Sequence, residues 1–87
     1  MKAEDFNKHL LDNEYLTLYS DNQRHLICEP YSIKNLHIMA NLLGIKHCWF
    51  HAKPYPHYDI PKRRIKEIQE QTQIISPRDI IQIIKTK

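Results

Sequence analysis

Three histidines and two aspartates stand where this chain could do chemistry. His25, His51 and His57 fall at strand ends or in a loop, and Asp21 and Asp59 lie close to them in sequence. In His57-x-Asp59 a carboxylate can orient an imidazole for acid–base work, with His25 as a third member from the other segment. The same pattern, extended by Asp21 and His51, offers nitrogen and oxygen ligands for Zn²⁺ or another transition metal. The spacing His51-x5-His57-x-Asp59 matches no specific metal motif, and a hydrogen-bonded cluster that merely fixes the loop is the competing reading. A divalent metal is therefore one option for a cofactor, and the sequence names no other. His9, His37 and His47 fall inside expected elements and read as ordinary surface or core residues.

Positive charge gathers next to these groups. Between Lys46 and Lys66 stand six basic residues against Asp59 alone, whereas residues 1–29 hold three basic and six acidic ones. The net charge of +3 thus conceals a basic region and an acidic one. Arg24, Lys62, Arg63 and Arg64 are the candidates for holding phosphate. Lys62-Arg63-Arg64 opens an expected helix, where cations oppose the dipole at roughly 0.3–1 kcal/mol each and an anionic ligand would offset that cost. Tyr55 and Tyr58, in a proline-stiffened loop, are candidates for stacking on bases. A solvated charged face with core aromatics is the plainer alternative. Trp49 reads as core because it lies inside an expected strand.

Composition mainly excludes. With 87 residues there is room for one domain, and 41% hydrophobic with 26% charged residues suits a folded one. A single glycine rules out Gly-rich phosphate loops of the P-loop or dinucleotide type. Cys28 and Cys48 form no CxxC pair, so a zinc ribbon is excluded, and two buried reduced thiols are the expectation. No GxSxG is present. The first residues are too polar for a secretory signal and no apolar run approaches a membrane span, so the expected location is the cytoplasm.

The elements that must carry these groups follow from pattern. Residues 3–12 predict a helix that forms an N-terminal extension over 1–14, ahead of a core over 15–87. Tyr15–Ser20 and His25–Cys28 predict short strands around the turn-like Asp21-Asn22. Ser32 caps a helix to about residue 43, with Ile33, Leu36, Ala40 and Leu43 on one face and Gly44 at its end. Ile45–Phe50 predicts a strand, the proline-rich HAKPYPHYDIP a loop, and 62–72 a helix. Gln73–Ile75 predicts a last strand, and Ser76-Pro77 the start of a closing helix. The expected fold is α/β: a small three-layer, mostly parallel sheet of about four short strands with helices on both faces. In such sheets ligands bind beyond the carboxyl ends of strands, which points to Asp21–His25 and His51–Arg64.

From Thr17 onward the chain resembles an uncharacterised family of small bacterial and phage domains of unknown function. The resemblance rests on TLYSDN, His25-Leu26, Leu36-His37, LGI at Leu43–Ile45, Trp49-Phe50, His57-Tyr58-Asp59 with basic residues after it, and QIISPRDIIQII. It implies that Asp21, His25, His57, Asp59 and Arg63 or Arg64 occupy the family's polar positions. Asn22 stands where the family tends to carry a second aspartate, and the stretch before the basic residues is short.

Two functional expectations result. One is a phosphate-recognising domain that binds nucleic acid or a nucleotide, with phosphodiester hydrolysis through a His/Asp/Arg site. The other is a non-catalytic protein-binding module, such as a small phage-type regulator or inhibitor, using Ala52–Ile60 as its interface. A homodimer joined through the extra helix is a further expectation.

Overall fold

Residues 16–86 are described by the structure, a computed structural model. The expected helix over 3–12, and with it the helical extension and any dimer contact through it, lies outside these residues. Five strands form one sheet: β1 (Thr17–Ser20), β2 (His25–Glu29), β3 (Phe50–His51), β4 (His57–Asp59) and β5 (Gln73–Ile74). Their spatial order is β3-β4-β2-β1-β5. Among the described residues three helices accompany them: α1 (Ile33–Leu43), α2 (Ile65–Glu70) and α3 (Pro77–Lys85).

The mostly parallel four-stranded sheet expected from the alternation of elements does not form. Only β1 and β5 run parallel; β1–β2, β2–β4 and β3–β4 are all antiparallel. The physical reason is the length of the connections. A parallel crossover takes a dozen or more residues, and the Asp21–Arg24 link is far too short, so the strands on either side must fold back as a hairpin. Arg24 adopts a left-handed conformation (φ 71°) inside that turn.

Two other expectations also change. Ile45–Phe50 is not a continuous strand; His47–Trp49 forms a single 3₁₀ turn and β3 begins only at Phe50. The segment expected as a loop contains β4, three residues bracketed by prolines, too short to show alternation. The predicted helix at 62–72 starts as a 3₁₀ turn over Lys62–Arg64 and becomes α2 at Ile65.

The helix ends follow local chemistry. Ser32 Oγ accepts the Asn35 N–H at 3.0 Å to start α1, and Ser76 Oγ accepts the Asp79 N–H at 3.1 Å to start α3. Gly44 ends α1 at φ 70°, where its missing Cβ removes the steric cost of the left-handed region. The buried stripe of α1 is Leu36, Met39, Ala40 and Leu43, while Ile33 stays half exposed. Leu26, Ile27 and Cys28 of β2 are fully buried, and both α1 and α3 pack against that strand. Among the described residues no helix is long and apolar enough to cross a membrane.

Both cysteines are free, but only Cys28 is buried; Cys48 lies exposed on the 3₁₀ turn. Burial pushes the Cys28 thiol up to about 12, with Glu29 adding a smaller contribution of the same sign. Only Cys48 should therefore react with iodoacetamide near pH 8 in the folded protein, and denaturant should expose the second thiol. Mass spectrometry of the alkylated chain reads this directly; rapid double labelling under native conditions would contradict the burial.

Candidate functional site

Strand register builds the site. β2 and β4 pair with His25 opposite Asp59 and Leu26 opposite Tyr58, and β3 and β4 pair with His51 opposite His57. Because side chains alternate, His25, His51, His57 and Asp59 share one side of the sheet and Tyr58 takes the other. Four residues from three strands therefore meet without any loop having to fold over.

Asp21 anchors the first histidine. Its side chain is fully buried, and Oδ1 accepts the backbone N–H groups of Gln23 at 2.8 Å and His25 at 2.9 Å, closing the hairpin turn. Oδ2 lies 2.8 Å from His25 Nδ1. A carboxylate can only accept, so His25 carries its proton on Nδ1 and leaves Nε2 as a lone pair.

His57 is held in the same sense. Its Nδ1 donates to the Tyr55 carbonyl at 2.7 Å, so its Nε2 is also the unprotonated nitrogen of the neutral ring. That Nε2 faces Asp59 Oδ1 at 3.2 Å. A proton on that nitrogen or a metal ion between the two atoms would make this contact attractive. His51 Nε2 lies 3.0 Å from Asp59 Oδ2, and its ring stacks on His57 with centroids 5.4 Å apart. One donor atom each from His25, His57 and Asp59 lie within 4.8 Å of one another.

A cavity of about 290 Å³ opens beside these groups. Gln23, His25, Tyr55 and His57 form one part of its lining, and Pro77 with Ile80 and Ile84 of α3 forms the other. The site is thus polar at one end and apolar along the wall.

The expected site residues separate into groups. His25, His57, Asp59 and His51 converge, while Asp21 sits behind His25 as its support. Tyr55 lines the cavity. Tyr58 does not: it is 1% exposed, and its hydroxyl is 2.7 Å from His37 Nδ1 on α1, which leaves no face for a base. Burial accordingly raises the Tyr58 phenol above its ordinary value.

Lys62, Arg63 and Arg64 lie elsewhere. Arg64 donates to the Leu43 and Gly44 carbonyls at 2.6 and 2.8 Å and pairs with Glu67, closing the end of α1. That pairing raises the Arg64 guanidinium and holds the Glu67 carboxyl below its usual range. Lys62 and Arg63 line a different cavity that shares no residue with the first. Arg24 shapes the hairpin turn, and its carbonyl accepts the Ile60 N–H at 2.8 Å.

Sequence reasoning missed Gln23, the α3 wall and the His37–Tyr58 contact. Leu36-His37 had appeared only as part of a motif, and nothing local marks a helix face as the wall of a distant cavity. Within the Ala52–Ile60 segment Tyr58 and Ile60 are buried, while Ala52, Lys53 and Pro54 are exposed.

In comparisons with known proteins, no curated protein and no solved structure matches the chain. The model of the family described as "Protein of unknown function (DUF4031)" matches residues 10–87, and the chain belongs to that family.

Proposed function

We propose that this member of the family binds one divalent transition-metal ion through His25 Nε2, His57 Nε2 and the Asp59 carboxylate, and hydrolyses a phosphate ester there. The observation that supports it most is the tautomer pattern within the cluster: both imidazoles spend Nδ1–H on fixed acceptors, His57 Nε2 stands 3.2 Å from Asp59 Oδ1, and one donor atom each of His25, His57 and Asp59 lie within 4.8 Å of one another. Two histidines and one carboxylate form a donor set that suits zinc, manganese or iron and leaves coordination positions open. Bonds near 2.1 Å around a tetrahedral ion set donors roughly 3.4 Å apart, so His57 Nε2 and Asp59 Oδ1 at 3.2 Å already stand near that spacing and any wider separation within the 4.8 Å cluster must close to it.

Such an ion would polarise a phosphoryl oxygen and lower the pKa of bound water. It would also supply the positive charge that Arg64 does not bring to this site. His51, with its Nε2 3.0 Å from Asp59 Oδ2 and its side chain half exposed, is positioned to relay a proton between the site and solvent. The cavity, with Tyr55 as an aromatic wall and the Gln23 amide at its edge, suits the base of a nucleotide.

Calorimetric titration of Zn²⁺ and Mn²⁺ into metal-free protein tests the reading. One ion per chain is expected, with His57→Ala and Asp59→Ala each weakening it at least about 100-fold while the fold persists. Turnover of a chromogenic phosphodiester should require the ion. Binding without turnover would remove the hydrolytic assignment, and unchanged affinity in both variants would remove the site.

A further inference from the structure

A second cavity, of about 530 Å³, lies where the end of α1 meets the start of α2. Lys46, Cys48, Trp49, Lys62, Arg63 and Arg64 contribute to its lining, and no Asp or Glu does. Arg64 is committed to the two α1 carbonyls and to Glu67, so its charge is already answered. Among the described residues, Lys46, Lys62 and Arg63 make no ion pair, and all three are exposed. Three cations facing one groove without a counter-charge repel one another until an anion enters.

Trp49 decides between kinds of anion. Its indole is only partly buried against the core and lines the same groove. An aromatic face beside several cations fits a strand whose phosphates and bases alternate, because cations neutralise the backbone while the ring accepts any base. An acidic peptide would use the cations and leave the indole idle.

We propose that the groove formed by Lys46, Trp49, Lys62 and Arg63 binds single-stranded nucleic acid, with phosphates on the three cations and a base stacked on Trp49. The groove is separate from the His25–His57–Asp59 group, and this inference stands without a metal there. If the hydrolytic reading also holds, the groove names the substrate class as a polynucleotide.

Trp49 is the single tryptophan of the chain, so its fluorescence reports this groove directly. The experiment titrates the intact protein, in the presence of a chelator, with short oligothymidylate and oligouridylate, and follows both Trp49 quenching and the anisotropy of end-labelled oligomer. Quenching is expected, with affinity falling as salt rises along a log–log slope of roughly −2, as about three phosphate contacts on a single strand require. Lys62→Ala/Arg63→Ala should weaken binding at least about tenfold. The control pair Arg78→Ala/Lys85→Ala, which removes the same charge outside the groove, should stay within about twofold. Equal weakening by both pairs would overturn the site. No response in either signal would overturn the inference, and a response to an acidic peptide but not to oligomers would reassign the groove to a protein partner. The chelator keeps this outcome independent of the metal titration.

Discussion

Asp21→Asn is expected to weaken metal binding at His25, His57 and Asp59 by about 10–100-fold while lowering stability by only about 1 kcal/mol. The asparagine carbonyl can still accept the Gln23 and His25 backbone N–H groups, so the hairpin turn survives. Its NH₂ then faces His25 Nδ1, where the carboxylate stood. The ring must answer with a lone pair on Nδ1 and move its proton to Nε2, the atom offered to the ion. Asp21→Ala is harsher. It leaves two backbone N–H groups without their acceptor in a fully buried position and opens a small void, with an expected loss of about 3–5 kcal/mol. Against a total stability of roughly 5–10 kcal/mol for a domain this size, that is a large fraction. Denaturant unfolding measures the stability terms, calorimetry the affinity, and nitrogen chemical shifts the His25 tautomer. Wild-type metal affinity in Asp21→Asn would show that Nε2 of His25 is not a ligand.

The second large effect concerns Arg64. Arg64→Met keeps most of the side-chain packing but removes the guanidinium that spans the Leu43 and Gly44 carbonyls and Glu67. An expected loss of about 2–3 kcal/mol follows, because hydrogen bonds from a charged donor to otherwise unanswered helix-end carbonyls are lost together. Arg64→Lys should recover less than half of it, since a single ammonium cannot reach three acceptors arranged for a planar fork. Urea unfolding of the two variants provides the comparison. If Arg64→Met unfolded at the wild-type midpoint, the closure of α1 by this residue would be energetically idle, and Arg64 would return to the group of free cations.

Much of the site was legible because local chemistry announces itself. Asp21, His25, His57 and Asp59 are polar residues clustered around strand ends, and their types alone suggest acid–base or metal work. Their division of labour was not legible. Asp21 and His51 were the expected metal ligands, but Asp21 lies buried behind His25 and His51 touches the site through Asp59. Which nitrogen a histidine offers depends on what meets its other nitrogen, and that partner comes from a turn or a neighbouring carbonyl. The cations expected to hold phosphate illustrate the same limit. Lys62, Arg63 and Arg64 are consecutive in sequence, yet one closes a helix twenty residues upstream while two line a groove.

The sequence by itself determined α1 and α3, their caps and the short list of residues with chemistry to offer. These depend on periodicity, on Ser32, Gly44 and Ser76 at the helix ends, and on residue types, all of which act over a few neighbours. Tertiary structure alone decided the strand order, the mostly antiparallel pairing and the register that sets His25 against Asp59 and His51 against His57. Pairing partners distant in sequence are chosen by which arrangement buries Leu26, Ile27, Tyr58 and Ile60 together, a sum over the whole core. A three-residue strand such as β4 has too little pattern of its own to announce that choice.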